Sequence, residues 1–362
     1  MIYLDHAATT PICDASKKTI MEWLNEFGNP SSAHPLGHNA RFLIEDARMR
    51  IAKCINAESD EIYFTSGGSE SNTLALNKRH QHSMSSVFEH HSVCTLHPVI
   101  PVNKDGFIES DKLHDYLSRW WTEVVSCMMV NNELGTKQPV KELALITHQY
   151  GDVLFHTDAV QAIGHIPVDV KEINCDMLSA SAHKFGGPKG VGFLYIKNGA
   201  HINPLICGGK QENGVRPGTE NVIGIIAMAE ALEDAVLHMD ERTSHIQYLR
   251  DRMLDQLLKI KGSHLNGSLK NRVYSNINIS FDGVPGSRLV TLCGLYGICI
   301  SAGSACNEGV AQPSHVLKAI GLSDEDALNS VRITIGYENT EDEIIQAANI
   351  ITGIVDRIRA EE

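Results

Sequence analysis

The stretch Glu61–Asn72, EIYFTSGGSESN, joins a short apolar strand to a helix through a glycine-rich turn. Its apolar and aromatic residues predict a strand over Glu61–Phe64, and the helix is predicted to begin near Ser71. Glycine lets backbone N–H groups approach a ligand, and a helix N-terminus favours an anion, so the turn is a candidate phosphate cradle. The alternative is an ordinary strand-to-helix turn in which Ser69 or Ser71 caps the helix.

Strand and helix signals alternate along the following chain. A helix is predicted over Gly37–Ile55, because apolar residues recur on one of its faces. Apolar runs typical of buried strands lie at Val124–Val130, Val153–Phe155, Met177–Leu178 and Val191–Ile196. Strands separated by helical or loop lengths predict a mainly parallel α/β sheet.

The last third of the chain is predicted to form a smaller α+β domain. One long helix is expected near Val222–Leu258 and a closing helix near Asp342–Arg359. Strands are expected at Ser275–Phe281 and Val331–Ile335.

The composition favours a globular protein that acts on a small molecule. Because 362 residues exceed the usual size of a single core, two domains that share one site are expected. The formal net charge of −13 argues against a large nucleic-acid or anionic-membrane surface. No secretory signal or bilayer-spanning run is visible, and nine cysteines without a CxxC pair fit reduced thiols. We therefore expect a cytoplasmic protein without a membrane partner.

Polar clusters follow several of the predicted strands. They are Ser66–Ser69, Asn131–Glu133, His156–Asp158 and Ser181–Lys184. Because ligands of open α/β sheets bind beyond the carboxyl ends of the strands, these clusters are expected to converge on one crevice.

Lys184 lies in SASAHKFGGPKGVG, between a strand of small residues and a Gly-Gly-Pro turn. A buried lysine loses proton affinity through desolvation and can form an imine with an aldehyde cofactor. Ser181 and His183 are candidate phosphate ligands. Asp158, in HTDAVQAIG, is a candidate partner for a pyridine nitrogen, and the alternative role is a helix N-cap.

Cys306 and Arg332 are further candidates for chemistry. Cys306 lies among small residues in SAGSACNEG, a flexible and exposed composition that favours a reactive thiol. Arg332, in VRITIG, is a candidate carboxylate ligand, and the alternative is a strand arginine that faces solvent. His90 and His91 are adjacent and point apart, so they form a poor chelating pair and no resident metal is expected.

Ten short motifs occur in order along the chain: YLDHAATT, FGNPSSAH, FTSGGSESN, EHHSV, NNELGT, HTDAVQAIG, SAHKFGGPKGVG, RPGTENV, SAGSAC and PSHVLKAIG. Together they resemble the motifs of the cysteine desulfurases of the NifS/IscS type, which are class-V-aminotransferase-like enzymes. The resemblance runs from Tyr3 to about Glu343. Its most specific elements are SAHK, which marks the cofactor site, and SAGSAC, which marks the sulfur acceptor.

The resemblance implies a fold-type I homodimer that binds pyridoxal 5′-phosphate. Residues 15–244 would form a large cofactor-binding domain with a mainly parallel, seven-stranded sheet. Residues 1–14 and 245–362 would form a small domain that carries the loop of the catalytic cysteine.

The resemblance also implies a role for each candidate residue. Lys184 would hold the cofactor, Asp158 would face the pyridine nitrogen, and His90 would stack on the ring. The phosphate ligands would be Gly68, Ser69, Ser181, His183 and Thr219 of the partner subunit. Gln161 would contact the phenolic oxygen, and the ligands of the substrate carboxylate would be Asn132 and Arg332.

The implied reaction converts L-cysteine to L-alanine and leaves the sulfur on Cys306 as a persulfide. Freed Lys184 would first remove the Cα proton of the substrate. The persulfide would pass to an acceptor protein, such as an iron–sulfur scaffold or a thiolation enzyme, for iron–sulfur cluster assembly, tRNA thiolation or DNA sulfur modification. Cys306 would then be at most a transient iron–sulfur ligand. A mobile loop from about Ser301 to Gln312 is expected to carry it.

Three positions depart from the family pattern, namely His6, Ser69 and Pro217, and none of them removes a chemical role. The chain ends at Glu362, soon after its last helix, which leaves delivery to a standard scaffold open. Two alternatives also remain open. One is a selenocysteine lyase or another class-V aminotransferase, which would share Lys184 and Asp158 without needing Cys306. The other is a catalytically silent assembly partner with the same fold.

Overall fold

A seven-stranded sheet lies at the centre of the computed structural model, which describes residues 1–77, 82–93, 99–303 and 312–361. In spatial order its strands are β2 (Ile62–Thr65), β8 (Gly192–Ile196), β7 (Met177–Ser181), β6 (Leu154–Asp158), β5 (Val124–Ser126), β3 (Ser83–Ser86) and β4 (Val99–Ile100). The strands from β7 to β4 run parallel, whereas β8 is antiparallel to both of its neighbours. The prediction of a mainly parallel α/β sheet is confirmed.

Helices pack around this sheet. They are α1 (Asp14–Glu22), α2 (Pro35–Cys54), α3 (Gly68–Leu76), α4 (Ser110–Arg119), α5 (Val140–His148), α6 (Val170–Ile173) and α7 (Val222–Leu237). Helix α2 begins slightly earlier than predicted, because Pro35 suits the first turn and the His34 ring accepts a hydrogen bond from the Gly37 N–H. Its apolar face, including Ile44 and Ile51, is buried as expected.

A second group of elements forms around an antiparallel sheet. Its strands, in spatial order, are β12 (Ser301–Ala302), β13 (Ser330–Thr334), β10 (Asn276–Phe281) and β9 (Ser263–Leu265), while β1 (Ile2–Tyr3) pairs in parallel with β11 (Ile298–Cys299). The accompanying helices are α8 (Met239–Leu257), α9 (Gly286–Leu295), α10 (His315–Ala319), α11 (Asp324–Leu328) and α12 (Glu341–Ala360).

The two groups have separate apolar cores. One core is built mainly from the elements between Cys13 and Ala235, and the other joins Ile2 and Leu4 to side chains from Ile246 to Ile358. The N-terminal segment therefore packs with the second group. The boundaries of a large domain at 15–244 and a small domain at 1–14 and 245–362 stay a prediction.

Two sequence predictions are wrong. The single helix expected over Val222–Leu258 is broken at His238, where α7 ends and α8 begins. Ser301–Ala302, which was expected to begin a mobile loop, is instead a strand that pairs with β13. Cys306 itself lies outside the described residues.

No helix in the described part of the chain is both long and apolar enough to cross a membrane.

Candidate active site at the strand ends

A cavity of about 320 Å³ opens beyond the carboxyl ends of the central strands, which is a size that suits a small molecule. Ten of the predicted site residues line it: Gly68, Ser69, His90, Asn132, Asp158, Gln161, Ser181, His183, Lys184 and Arg332. Thr219 is exposed and does not line the cavity, and Cys306 is not among the described residues. The predicted convergence of the strand-end clusters is therefore observed.

Lys184 projects into the cavity from a 3₁₀ turn directly after β7. Its Nζ donates hydrogen bonds to the backbone oxygens of Ala7 and Ala8, both at 2.7 Å. Burial, followed by the charge of Arg332, lowers the pKa of Lys184 to about 8. A neutral amine is thus accessible near physiological pH, as an imine-forming lysine requires.

Asp158 ends β6 and is almost fully buried. Its Oδ1 accepts from the N–H of Val160 at 2.9 Å, and its Oδ2 accepts from the Asn72 amide at 2.7 Å. The local turn uses Oδ1 alone, so Oδ2 remains available as a further acceptor, and the turn role is compatible with a role toward a ring nitrogen.

Asn72 is a cavity residue that sequence reasoning missed. It is buried, and its Oδ1 has no hydrogen-bond partner among the described residues. Its place one helical turn after Gly68, in the same motif, is a signal that could have identified it. Ala7 and Ala8 were missed because they act through backbone oxygens.

The turn before α3 forms a cradle for an anion. Gly67 has a φ of +146°, which side chains rarely adopt, and a Cβ on Gly68 would stand 2.6 Å from Cγ2 of Val160. No described side chain caps the first turn of α3, so its N–H groups remain available for a phosphate. The predicted cap role of Ser69 or Ser71 is wrong. Ser71 donates instead to the backbone oxygen of Phe193, at 3.1 Å.

Ser181 and His183 close the other side of the cradle. Ser181 is buried, and the Nδ1 of His183 lies 3.1 Å from Oγ1 of Thr9. Burial, and then the charge of Lys184, lowers the pKa of His183 to about 4. His183 is therefore neutral at physiological pH and suits hydrogen bonding to an anion.

Arg332 reaches the cavity from β13. It donates to the backbone oxygen of Asn132 at 3.0 Å and to Oδ1 of Asp5 at 2.8 Å. Its side chain is buried, so the alternative of a solvent-facing arginine is wrong. Within the described residues its Nε has no partner, so this N–H is available to a ligand carboxylate.

His90 and Gln161 complete the walls of the cavity. The Nδ1 of His90 lies 2.8 Å from Oγ of Ser92, and desolvation lowers the pKa of His90. Gln161 donates to the Ala7 oxygen at 2.9 Å.

The rings of His90 and His91 have centroids 6.2 Å apart. Across the ranges that the structure describes, no group of three or more His, Cys, Asp or Glu side chains could hold a metal ion.

These groups fit a phosphorylated pyridine aldehyde together with an amino acid. The cradle at α3 suits the phosphate, and Asp158 suits the pyridine nitrogen. Lys184 supplies the amine. Arg332 offers an unpartnered N–H to a carboxylate.

Comparisons with known proteins agree with this arrangement. The family described as "Aminotransferase class-V" matches residues 2–346. A protein named cysteine desulfurase IscS, from Dictyoglomus turgidum, is 45% identical over 99% of this chain and 95% of its own length. A solved NifS-like protein is 34% identical, with a TM-score of 0.91 over 98% of this chain and 99% of that one. A structure of SspA in complex with cysteine is 31% identical, with a TM-score of 0.81 over 94% and 100% of the two chains.

Proposed function

The chain belongs to the class-V aminotransferase family, and we propose that it is a cysteine desulfurase whose cofactor is pyridoxal phosphate. The observation that carries this proposal is the half-buried Lys184 amine, which lies with nine other predicted site residues in one cavity. Relatives at 37–45% identity over nearly the whole chain carry the name cysteine desulfurase. The family and fold class predicted from the ten motifs are thereby confirmed.

The residues of the cavity would bind and orient the cofactor. The N–H groups of Gly68 and Ser69, with Ser181 and His183, would hold the phosphate. The Asp158 carboxylate would face the pyridine nitrogen and keep it protonated, while His90 and Gln161 would flank the ring. Bound pyridoxal phosphate supplies an electron sink that stabilises negative charge at the substrate Cα.

Arg332 and Asn132 would fix the carboxylate of L-cysteine, so that the Cα proton points at Lys184. The neutral amine of Lys184 would take that proton. The Cys306 thiolate would then attack the substrate sulfur, so that an S–S bond forms as the C–S bond breaks. In sum, L-cysteine and the Cys306 thiol give L-alanine and a Cys306 persulfide.

Several finer points belong to the same proposal. The chain would act as a homodimer, in which Thr219 of the partner subunit reaches the phosphate. The persulfide would pass to an acceptor protein, such as an iron–sulfur scaffold or a thiolation enzyme. A cytoplasmic location is supported by the seven described cysteines, all of which are free thiols.

The test measures sulfide and alanine released from L-cysteine in the presence of a reductant. The wild type should form both in equal amounts, and Lys184→Ala and Cys306→Ala should each lose about 100-fold or more of this activity. The matched controls Lys189→Ala, in the same motif, and Cys207→Ala, an exposed free thiol, should keep it.

Two outcomes would favour another function for this protein. Full turnover of an amino-acid substrate by Cys306→Ala would favour a selenocysteine lyase or another class-V aminotransferase. A wild-type protein that stays colourless after addition of pyridoxal phosphate would favour a silent assembly partner.

A further inference from the structure

A second cavity, of about 480 Å³, shares no lining residue with the candidate active site. Four basic residues line it: Lys137, Arg250, Lys270 and Arg272. Arg250 lies on α8, and Arg272 follows β9. None of the roles considered above uses this cavity.

Both arginines are buried, with 7% of Arg250 and 5% of Arg272 exposed. Among the described residues, Nε and Nη1 of Arg250 and Nη1 of Arg272 have no hydrogen-bond partner. The Asp251 carboxylate forms an ion pair with Nε of Arg250 at 2.6 Å without hydrogen-bond geometry, and its side chain is half exposed, so Nη1 of Arg250 remains without an acceptor. A buried guanidinium N–H group without a hydrogen-bond acceptor costs free energy. An acceptor bound between Arg250 and Arg272 would remove this cost.

Within the described ranges, the hydrogen bonds of the Arg272 side chain go to backbone oxygens. Its Nε donates to Ser268 at 3.1 Å, and its Nη2 donates to Asn266. These neutral acceptors fix the guanidinium without compensating its charge. Burial, and then repulsion from Arg250, lowers the pKa of Arg272 to about 9.

The charge of the cavity is unbalanced. Asp240 is the one acidic residue that lines it. Burial lowers the pKa of the lining residue His165, so this ring is neutral and adds no charge. Four cations line the cavity with the Asp240 carboxylate, and Asp251 pairs with Arg250 beside it, so the cavity keeps an excess of positive charge in a protein whose formal net charge is −13.

We propose that this cavity binds a phosphate group, either free or as part of a small phosphomonoester, between Arg250 and Arg272. The fork of N–H groups on a guanidinium matches the oxygens of a phosphate, and the unpartnered Nη1 groups are its donors. Lys137 and Lys270 would add attraction at the rim. The apolar walls, which include Met239, Leu269 and Tyr274, leave room for an organic body beside the phosphate.

The test titrates inorganic phosphate and glycerol phosphate into the holoenzyme by calorimetry. In the holoenzyme the cradle at α3 is filled by the phosphate of the cofactor, and a constant visible absorbance verifies that the cofactor stays bound. Sodium chloride at equal ionic strength separates binding from charge screening. The wild type should bind both probes, and tighter binding of glycerol phosphate would identify an organic ligand, whereas equal binding would identify free phosphate.

The decisive variant is Arg250→Met, which keeps the apolar stem and removes the donors. It should weaken phosphate binding by about tenfold or more. Arg252→Met is the matched control, because this residue lies on the same helix and carries the same charge, but pairs with Glu341 near the surface. It should bind phosphate as the wild type does.

The proposal fails if the wild type gives no binding heat beyond the chloride control, or if Arg250→Met binds phosphate as tightly as the wild type. Thermal melting followed by circular dichroism checks that Arg250→Met folds. Should it not fold, the double variant Lys137→Met with Lys270→Met, at two exposed positions, gives a second test. It should weaken binding several-fold, and unchanged affinity would overturn the proposal.

Discussion

At the residue scale, Glu133 is a buried acid that lies close to Gly303 and Ser314, on either side of the segment that contains Cys306. Its Oε2 accepts a hydrogen bond from Oγ of Ser314 at 2.6 Å, and a Cβ placed on Gly303 would stand 3.0 Å from the same oxygen. Burial raises the pKa of Glu133 to about 7, although Ser314 and the charge of Arg332 favour the ionised form. This carboxyl therefore changes its protonation near neutral pH.

The ionisation of Glu133 predicts a pH-dependent stability. Its pKa is higher in the folded chain than in the unfolded one, so the folded state loses stability as the pH rises from about 4.5 to about 7. Glu133→Gln removes this loss. The unfolding free energy of the variant minus that of the wild type should increase by on the order of 3 kcal/mol from pH 5 to pH 8. Denaturant unfolding at both pH values measures the gain, with the exposed Glu22→Gln as control. An equal difference at both pH values would show that Glu133 is already ionised in the folded protein at pH 5.

Most of the site residues that the sequence predicted carry their chemistry in their own side chains, and Gly68 was indicated by its glycine-rich turn. Lys184, Asp158 and Arg332 stand in motifs whose residue types suit an imine, a ring nitrogen and a carboxylate. Ala7 and Ala8 act through backbone oxygens, which no motif reveals. The Asp5–Arg332 pair was likewise hidden, because 327 positions of sequence separate its members.

At the element scale, the close fit between the start of α3 and Val160 predicts that Gly68 is required for cofactor binding. In Gly68→Ala the new Cβ would meet the stiff, β-branched side chain of Val160. The backbone N–H of Val160 is bonded to Asp158, which holds Val160 in place. The affinity for pyridoxal phosphate should fall about tenfold or more, as followed by visible absorbance. Gly353→Ala in α12, with open space around it, should leave the affinity unchanged. Retained affinity in Gly68→Ala would mean that the cradle can widen.

Local sequence patterns predicted most of the helices and strands, but they did not predict the break between α7 and α8. No glycine or proline stands near His238 to predict it. The break has a tertiary cause, because α7 is buried in the first core while Ile246 and later residues of α8 are buried in the second. The backbone oxygen of Asp234 accepts from the N–H of His238 at 3.2 Å and lies 2.9 Å from its Nδ1, which ends α7.

At the scale of the whole molecule, exposed apolar side chains support the proposed homodimer. Phe42 and Met49 lie two turns apart on α2, and they are 67% and 54% exposed. Light scattering should give about twice the mass of one chain. The double variant Phe42→Glu with Met49→Glu should lower that mass, whereas Leu295→Glu, on α9, should not. A wild type with the mass of a single chain would contradict the dimer.

The N-terminal segment has a consequence for the order of synthesis. The N–H of Ala7 donates to Oγ1 of Thr334, which lies 327 positions later, and the neighbouring backbone oxygens receive the amine of Lys184. Ala7 therefore reaches its final contacts only after Thr334 has been synthesised. A growing chain cannot complete the surroundings of its reactive lysine until the residue proposed to receive the sulfur has been made.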